Sequence, residues 1–128
     1  MIFVFGSNLN GIHGAGAAGF AYSKRGAVWG QGEGPQGDSY ALPTCIAPGV
    51  PLDLRSIRHY VEKFLDFAKR HPELSFQVTA VGCGIAGYKP SQIAAMFLKA
   101  PNNVWLPAQF YKAIYEEGYA HGVLHRSS

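Results

Sequence analysis

Charge, cysteine and long apolar runs are all scarce in this sequence, and each scarcity removes a class of function. Charged residues make up 15% of the chain against 48% hydrophobic ones. The lysines and arginines are spread along the chain and form no patch, so a nucleic-acid footprint has little support, although a net charge of +3 favours an acidic ligand. The two cysteines, Cys45 and Cys83, form no C-x-x-C pair, and their spacing suits neither a disulfide framework nor a zinc cluster. A reducing compartment is expected. The apolar stretches are strand-sized, far short of the roughly 20 residues of a membrane helix. The first residues, Met1 to Gly6, lack the basic region of a signal peptide. We therefore expect a soluble, cytoplasmic protein that makes no use of a membrane. No G-x-x-x-x-G-K-[S/T] occurs, which argues against a P-loop nucleotide hydrolase. A chain of 128 residues suits one domain with one core and leaves no room for separate cofactor and substrate domains. The reading is one domain over residues 1–128, with 119–128 as a flexible tail.

Glycine is what the sequence has in excess, and it is unevenly placed: ten of the 16 glycines fall within the first 37 residues. Glycine carries an entropic cost on folding, so such density marks left-handed backbone or close approach of the chain to something else. Between the glycines, Ile2 to Phe5 reads as a buried strand ended by Gly6. A loop over 6–13 leads to a helix from Gly14 to about Lys24, stopped by Gly26. Ala27 to Gly30 suggests a short strand, residues 31–38 a turn-rich segment, and Tyr40 to Leu42 a further strand. Asp53 to His71 is the clearest helix. Leu54, Ile57, Val61, Phe64, Leu65 and Ala68 share one face, Asp53 supplies a cap, Leu52 a staple against Ile57, and Pro72 a stop. Leu74 to Val81 alternates as a strand and runs into a second glycine loop, Gly82 to Tyr88. A helix opens at Pro90, Val104 to Leu106 reads as a last strand, and Ala108 to Glu117 as a last helix closed by Gly118. This order of elements predicts a compact α/β domain, a mainly parallel sheet covered by helices.

Two strand, glycine-loop and helix successions in one small domain carry the functional signal. In parallel sheets, ligands sit at the carboxyl ends of the strands, where loop N–H groups and helix N-termini offer partial positive charge to phosphate. Tight turns alone would explain one such loop; two favour a diphosphate clamp. Gly14-Ala15-Gly16-Ala17-Ala18-Gly19 matches G-x-G-x-x-G, but it begins well after the strand turn at Gly6 and no acid closes a following strand. A dinucleotide-binding Rossmann unit is not expected from it.

Ile2-Phe3-Val4-Phe5-Gly6-Ser7-Asn8-Leu9, His13-Gly14-Ala15-Gly16-Ala17-Ala18 and Val81-Gly82-Cys83-Gly84-Ile85-Ala86-Gly87-Tyr88 together resemble the two ligand loops of macrodomains. The likeness is greatest to the branch that removes ADP-ribose from acidic side chains, and it extends to a group of small bacterial and phage proteins with the same loops. The resemblance implies a compact three-layer macrodomain-like fold. It also implies ADP-ribose or a related NAD-derived nucleotide as ligand, no separate cofactor, and an ADP-ribosylated protein or nucleic acid as partner. It implies that the backbones of Gly14, Ala15, Gly16 and Ala17 and of Gly82, Cys83, Gly84, Ile85, Ala86 and Gly87 grip the diphosphate and distal ribose, with Asn8 beside that ribose. Gly6, Ser7 and Tyr88 are further candidate contacts, and His13 is either a phosphate donor or a solvated turn residue. Two positions depart from the branch: Ala86 stands where its catalytic aspartate would, and Thr44-Cys45 where a lysine is expected.

Hydrolysis of an ADP-ribose linkage would therefore need another acid, and Glu33 and Asp38 are the candidates, with Asn8 positioning the ribose. The rival readings are a non-catalytic nucleotide sensor or sequestering module, and a Cys83-dependent hydrolase. Tyr40, Tyr88 and Trp105 are candidates for stacking on adenine, although packing in the core explains such residues equally. His121 and His125 have H-x₃-H spacing, but Gly122 breaks a rigid helix there, so no metal site is expected.

Overall fold

The computed structural model describes residues 1–121. Most of the tail expected over 119–128, including His125, lies outside the described residues. Strand β1 (Ile2–Asn8) is the centre of the sheet, flanked in parallel by β3 (Ser39–Ala47) on one side and β5 (Phe76–Val78) on the other. Beyond β5 lies β6 (Val104–Trp105), also parallel, while β2 (Gly34–Gln36) and β4 (Val50–Pro51) pair antiparallel with β3. Among the described residues the result is a mixed α/β fold, a mostly parallel sheet of six strands with four helices. Among the described residues no helix is long and apolar enough to cross a membrane.

The pleat of β1 divides its side chains between two apolar clusters. Phe3 and Phe5 pack with Ala18 and Ala21 of helix α1 (Gly16–Lys24), whereas Val4 joins Ile57, Val61, Phe64 and Ala68 of helix α2 (Leu54–Arg70). The second cluster also takes in Ile93 of helix α3 (Pro90–Ala94) and Phe110 of helix α4 (Ala108–His121). Each fully buried aliphatic or aromatic side chain there contributes about 1.5–3 kcal/mol. Helix α2 begins as its sequence predicts, with the Asp53 carboxylate accepting the Ser56 N–H at 2.7 Å, and it ends ahead of Pro72.

Several elements differ from the sequence reading, among them β2, a strand inside the segment read as turn-rich. Ala27 to Gly30 is a turn and not a strand, because the Val28 N–H is taken by the Gln36 side chain at 2.7 Å and Gly30 adopts φ +93. Strand β3 continues beyond Leu42 through Pro43, which lacks an N–H for the ladder. The register slips there, so that Asn8 faces Cys45, and this bulge lets the strand run on. The strand expected over 74–81 contracts to β5, since the Leu74 N–H folds back on His71 and the Val81 N–H turns back on Thr79 at 2.7 Å. Gly118 does not end α4, which runs on to His121. An interior glycine costs a helix only about 1 kcal/mol, which packing elsewhere in the element offsets.

Candidate functional site

Because β3, β1 and β5 run parallel, the chain leaves all three at one edge, and a cleft of about 480 Å³ lies along that edge. The two glycine loops form its walls. Gly6, Ser7, Asn8 and residues 14–17 line it from the first loop, residues 82–86 from the second, and Thr44 and Cys45 from the end of β3. The loops come close because Gly6 has no side chain: a Cβ there would stand 3.2 Å from the Thr44 hydroxyl and 3.6 Å from the Gly82 nitrogen. The backbone of the second loop passes over β1 through that gap.

The lining is rich in N–H donors and free of formal charge. Helix α1 opens at the cleft from Ala15, whose extended backbone (φ −152, ψ 164) places no side chain on the first-turn N–H groups, and no acid lies in that turn. The positive end of the helix is therefore left to whatever occupies the cleft. Among the described residues, the N–H groups of Gly14, Ala15, Gly84, Ile85 and Ala86 donate to no backbone or side-chain acceptor, while Gly87 and Tyr88 close the second loop on Gly84 and Gly82. Among the described residues lining the cleft, none is Asp, Glu, His, Lys or Arg. The two thiols in the lining are not activated either, since burial pushes both Cys45 and Cys83 above the ordinary thiol value.

Several expected contacts lie elsewhere. Asn8 borders the cleft, but both ends of its amide are engaged with Ile12: Nδ2 donates to the carbonyl at 2.9 Å and Oδ1 accepts the N–H at 3.0 Å. Its observed work is to close the loop over residues 8–12. Glu33 is not in the lining; it pairs with Lys63 of α2 at 2.7 Å. Asp38 precedes β3, whereas the cleft lies beyond the far end of that strand, roughly 20 Å away at about 3.3 Å per residue. Neither carboxylate is placed to activate water there. Tyr88 is turned away, its hydroxyl donating to the Leu52 carbonyl at 2.6 Å. Tyr40 is buried against Phe64 and Phe67, and that burial, helped by the Glu33 charge, pushes its phenol up to about 12. Trp105 sits in a separate apolar groove beside Leu106 and Tyr111.

His13 does not line the cleft; it is a buried hub beneath the first loop, 1% exposed. Its Nε2 lies 3.0 Å from the Gln31 carbonyl and 3.2 Å from Gln36 Oε1, and that Oε1 already accepts the Val28 N–H. Both neighbours are acceptors, so Nε2 carries the proton and donates. Nδ1 is buried with no partner among the described residues. Gln36 completes the hub, its Nε2 donating to the carbonyls of Gln31 and Gly34. Sequence reading passed over Gln36, and over Gln109, which reaches the cleft from the first turn of α4. A lone glutamine in a turn-rich stretch gives no pattern to read. Among the described residues no group of three or more His, Cys, Asp or Glu side chains is arranged to hold a metal ion. Searches against family models, curated proteins and solved structures find no match to this chain.

Proposed function

We propose that the protein is a binding module for ADP-ribose or a related NAD-derived nucleotide, built on a three-layer macrodomain-like plan, and that it holds its ligand without hydrolysing it. The observation that carries this reading is the pairing of two N–H-rich glycine loops around a cleft lined, among the described residues, by no carboxylate, imidazole, amine or guanidinium. Backbone amides and the open start of α1 suit a diphosphate, while general acid–base catalysis, worth about 10² to 10⁴ in rate, has no side chain to deliver it. A raised thiol with no histidine in the lining counts against a Cys83 nucleophile.

Calorimetry and thermal unfolding with ADP-ribose, NAD, ATP and AMP test the ligand. ADP-ribose at 100 times its dissociation constant is expected to add about 2.7 kcal/mol of stability, and AMP far less. Absence of a shift with every diphosphate nucleotide overturns the reading. A single-turnover assay on ADP-ribosylated protein and nucleic acid tests the second half: bound but unreleased ADP-ribose is the expected result, and release places the protein among the hydrolases.

A further inference from the structure

The turn over residues 28–31 raises a question that the packing of the fold leaves open. Val28 is pinned by Gln36, the Gln31 carbonyl receives both His13 and Gln36, and the Gly30 N–H donates to Gly11 at 2.8 Å. A buried imidazole and a buried amide thus fix this turn to the loop that walls the cleft. The residue the turn carries outermost is Trp29, with 52% of its surface exposed. Water is a poor neighbour for an indole, and nothing in the core requires one there. Its ring stands edge-on to the half-exposed Tyr22 at 5.3 Å and to His13 at 6.5 Å, so it is held from two sides. Its Cη2 atom lies 4.0 Å from where a Cβ on Gly14 would be, and Gly14 lines the cleft. Trp29 itself is not among the residues lining the cleft, but it borders one that is, and Gly14 puts no side chain between the indole and the cleft wall.

We infer that Trp29, backed by Tyr22, is a stacking platform for a nucleobase carried by the ligand whose phosphates occupy the cleft. This rests on the proposed diphosphate reading and adds a second contact point to it. An aromatic face accepts any base, and such a stack is worth about 1–3 kcal/mol per base. The base belongs either to the bound nucleotide itself or to a nucleic-acid strand bearing ADP-ribose, and the two sources share the same chemistry.

The test uses the whole chain and three ligands: ADP-ribose, a short DNA strand carrying ADP-ribose, and phosphoribosyl pyrophosphate, which keeps ribose and diphosphate but has no base. Trp29→Ala is expected to weaken a base-bearing ligand roughly 5- to 150-fold and to leave the base-free one unchanged, while Trp29→Phe recovers most of the loss. Loss on ADP-ribose itself assigns the base to the nucleotide; loss on the modified strand alone assigns it to the nucleic acid. In a Trp105→Phe background the remaining indole emission, from Trp29, should be quenched by the same ligand. Equal affinity of wild type and Trp29→Ala for all three ligands overturns the platform, as does an equal loss on the base-free ligand. If the wild type binds none of the three, the cleft reading itself falls and the platform with it.

Discussion

A methyl group added at Gly11 would stand 2.3 Å from the Gly30 carbonyl carbon, and one added at Gly32 would stand 2.4 Å from the Asn8 carbonyl oxygen. One added at Gly84 would meet nothing within 4 Å, and Gly84 has no positive φ to explain its identity. Both regions are glycine loops, yet in the first the missing side chain lets two backbones touch, and in the second it leaves empty space facing the cleft. The starts of α1 and α2 show the same contrast. Asp53 caps α2 from within the chain, while α1 begins at Ala15 with its N–H groups uncapped beside the cleft. Where the fold needs a contact it makes one, and the donors and room it leaves are what the proposed ligand would use.

The largest effect should come from forcing a side chain into the packed region. Gly11→Ala adds a left-handed strain of about 1–2 kcal/mol to an overpacking cost of about 1–3 kcal/mol. Denaturant unfolding is expected to show a loss of roughly 2 to 5 kcal/mol, against no more than about 0.5 kcal/mol for Gly84→Ala. Similar losses at the two sites would erase the distinction between them. Next, Gly84→Val should leave the fold intact and weaken ADP-ribose about 5- to 150-fold, since its branched side chain projects into the space of the phosphates. Full affinity in the folded variant would return Gly84 to a purely structural role.

A smaller effect follows from closing the open helix. Ala15 already has the extended backbone of a cap residue, so Ala15→Asp should stabilise the free protein by about 1 kcal/mol. Its carboxylate would occupy the first-turn donors and repel phosphate, and calorimetry should find ADP-ribose weakened about tenfold. Unchanged binding would mean that the N-terminus of α1 does not touch the ligand.

The smallest effect concerns pH. The Ser56 N–H holds the Asp53 carboxyl below its ordinary value, so that capping is fully present above the ordinary carboxylate range and is lost as pH falls through the depressed value. Acid should loosen α2 in this way. Between about pH 5 and 8 the affinity for ADP-ribose should stay flat, because no acid or base lines the cleft and burial keeps both thiols protonated. A step in that range would show that an ionisable group outside the described lining touches the ligand.

How far the molecule could be read from its sequence varied with the range of the interaction. Helix α2 was legible because its 3.6-residue periodicity, Asp53 cap and Pro72 stop are all local signals. The meeting of residues 14–17 with 82–86 was also readable, since two parallel strands must release their loops at one edge. The run of β3 past Leu42 was not legible, because a bulge accommodates the N–H missing at Pro43, and bulges are set by the partner strand. Glu33 misled for a different reason: its neighbouring glycines look like a ligand loop, but which way a carboxylate points depends on Lys63, thirty positions away and visible only after folding. Gln36 was missed because its hydrogen bonds to Val28 and His13 reach back across an irregular stretch, where no periodicity exists.

A cleft that grips an anion with peptide dipoles alone has a kinetic character of its own. Dipole fields fade over a few ångströms, so the lining itself adds little steering, and approach is guided by diffusion and the diffuse pull of the chain's net charge of +3. Added salt, which slows capture at a charged site, should slow approach here only slightly. Ligands of similar size will then arrive at similar frequencies, and selectivity has to reside in how long each one stays. In a crowded pool of phosphates this protein would sample many and retain the few that fit both loops, a filter operating on residence time.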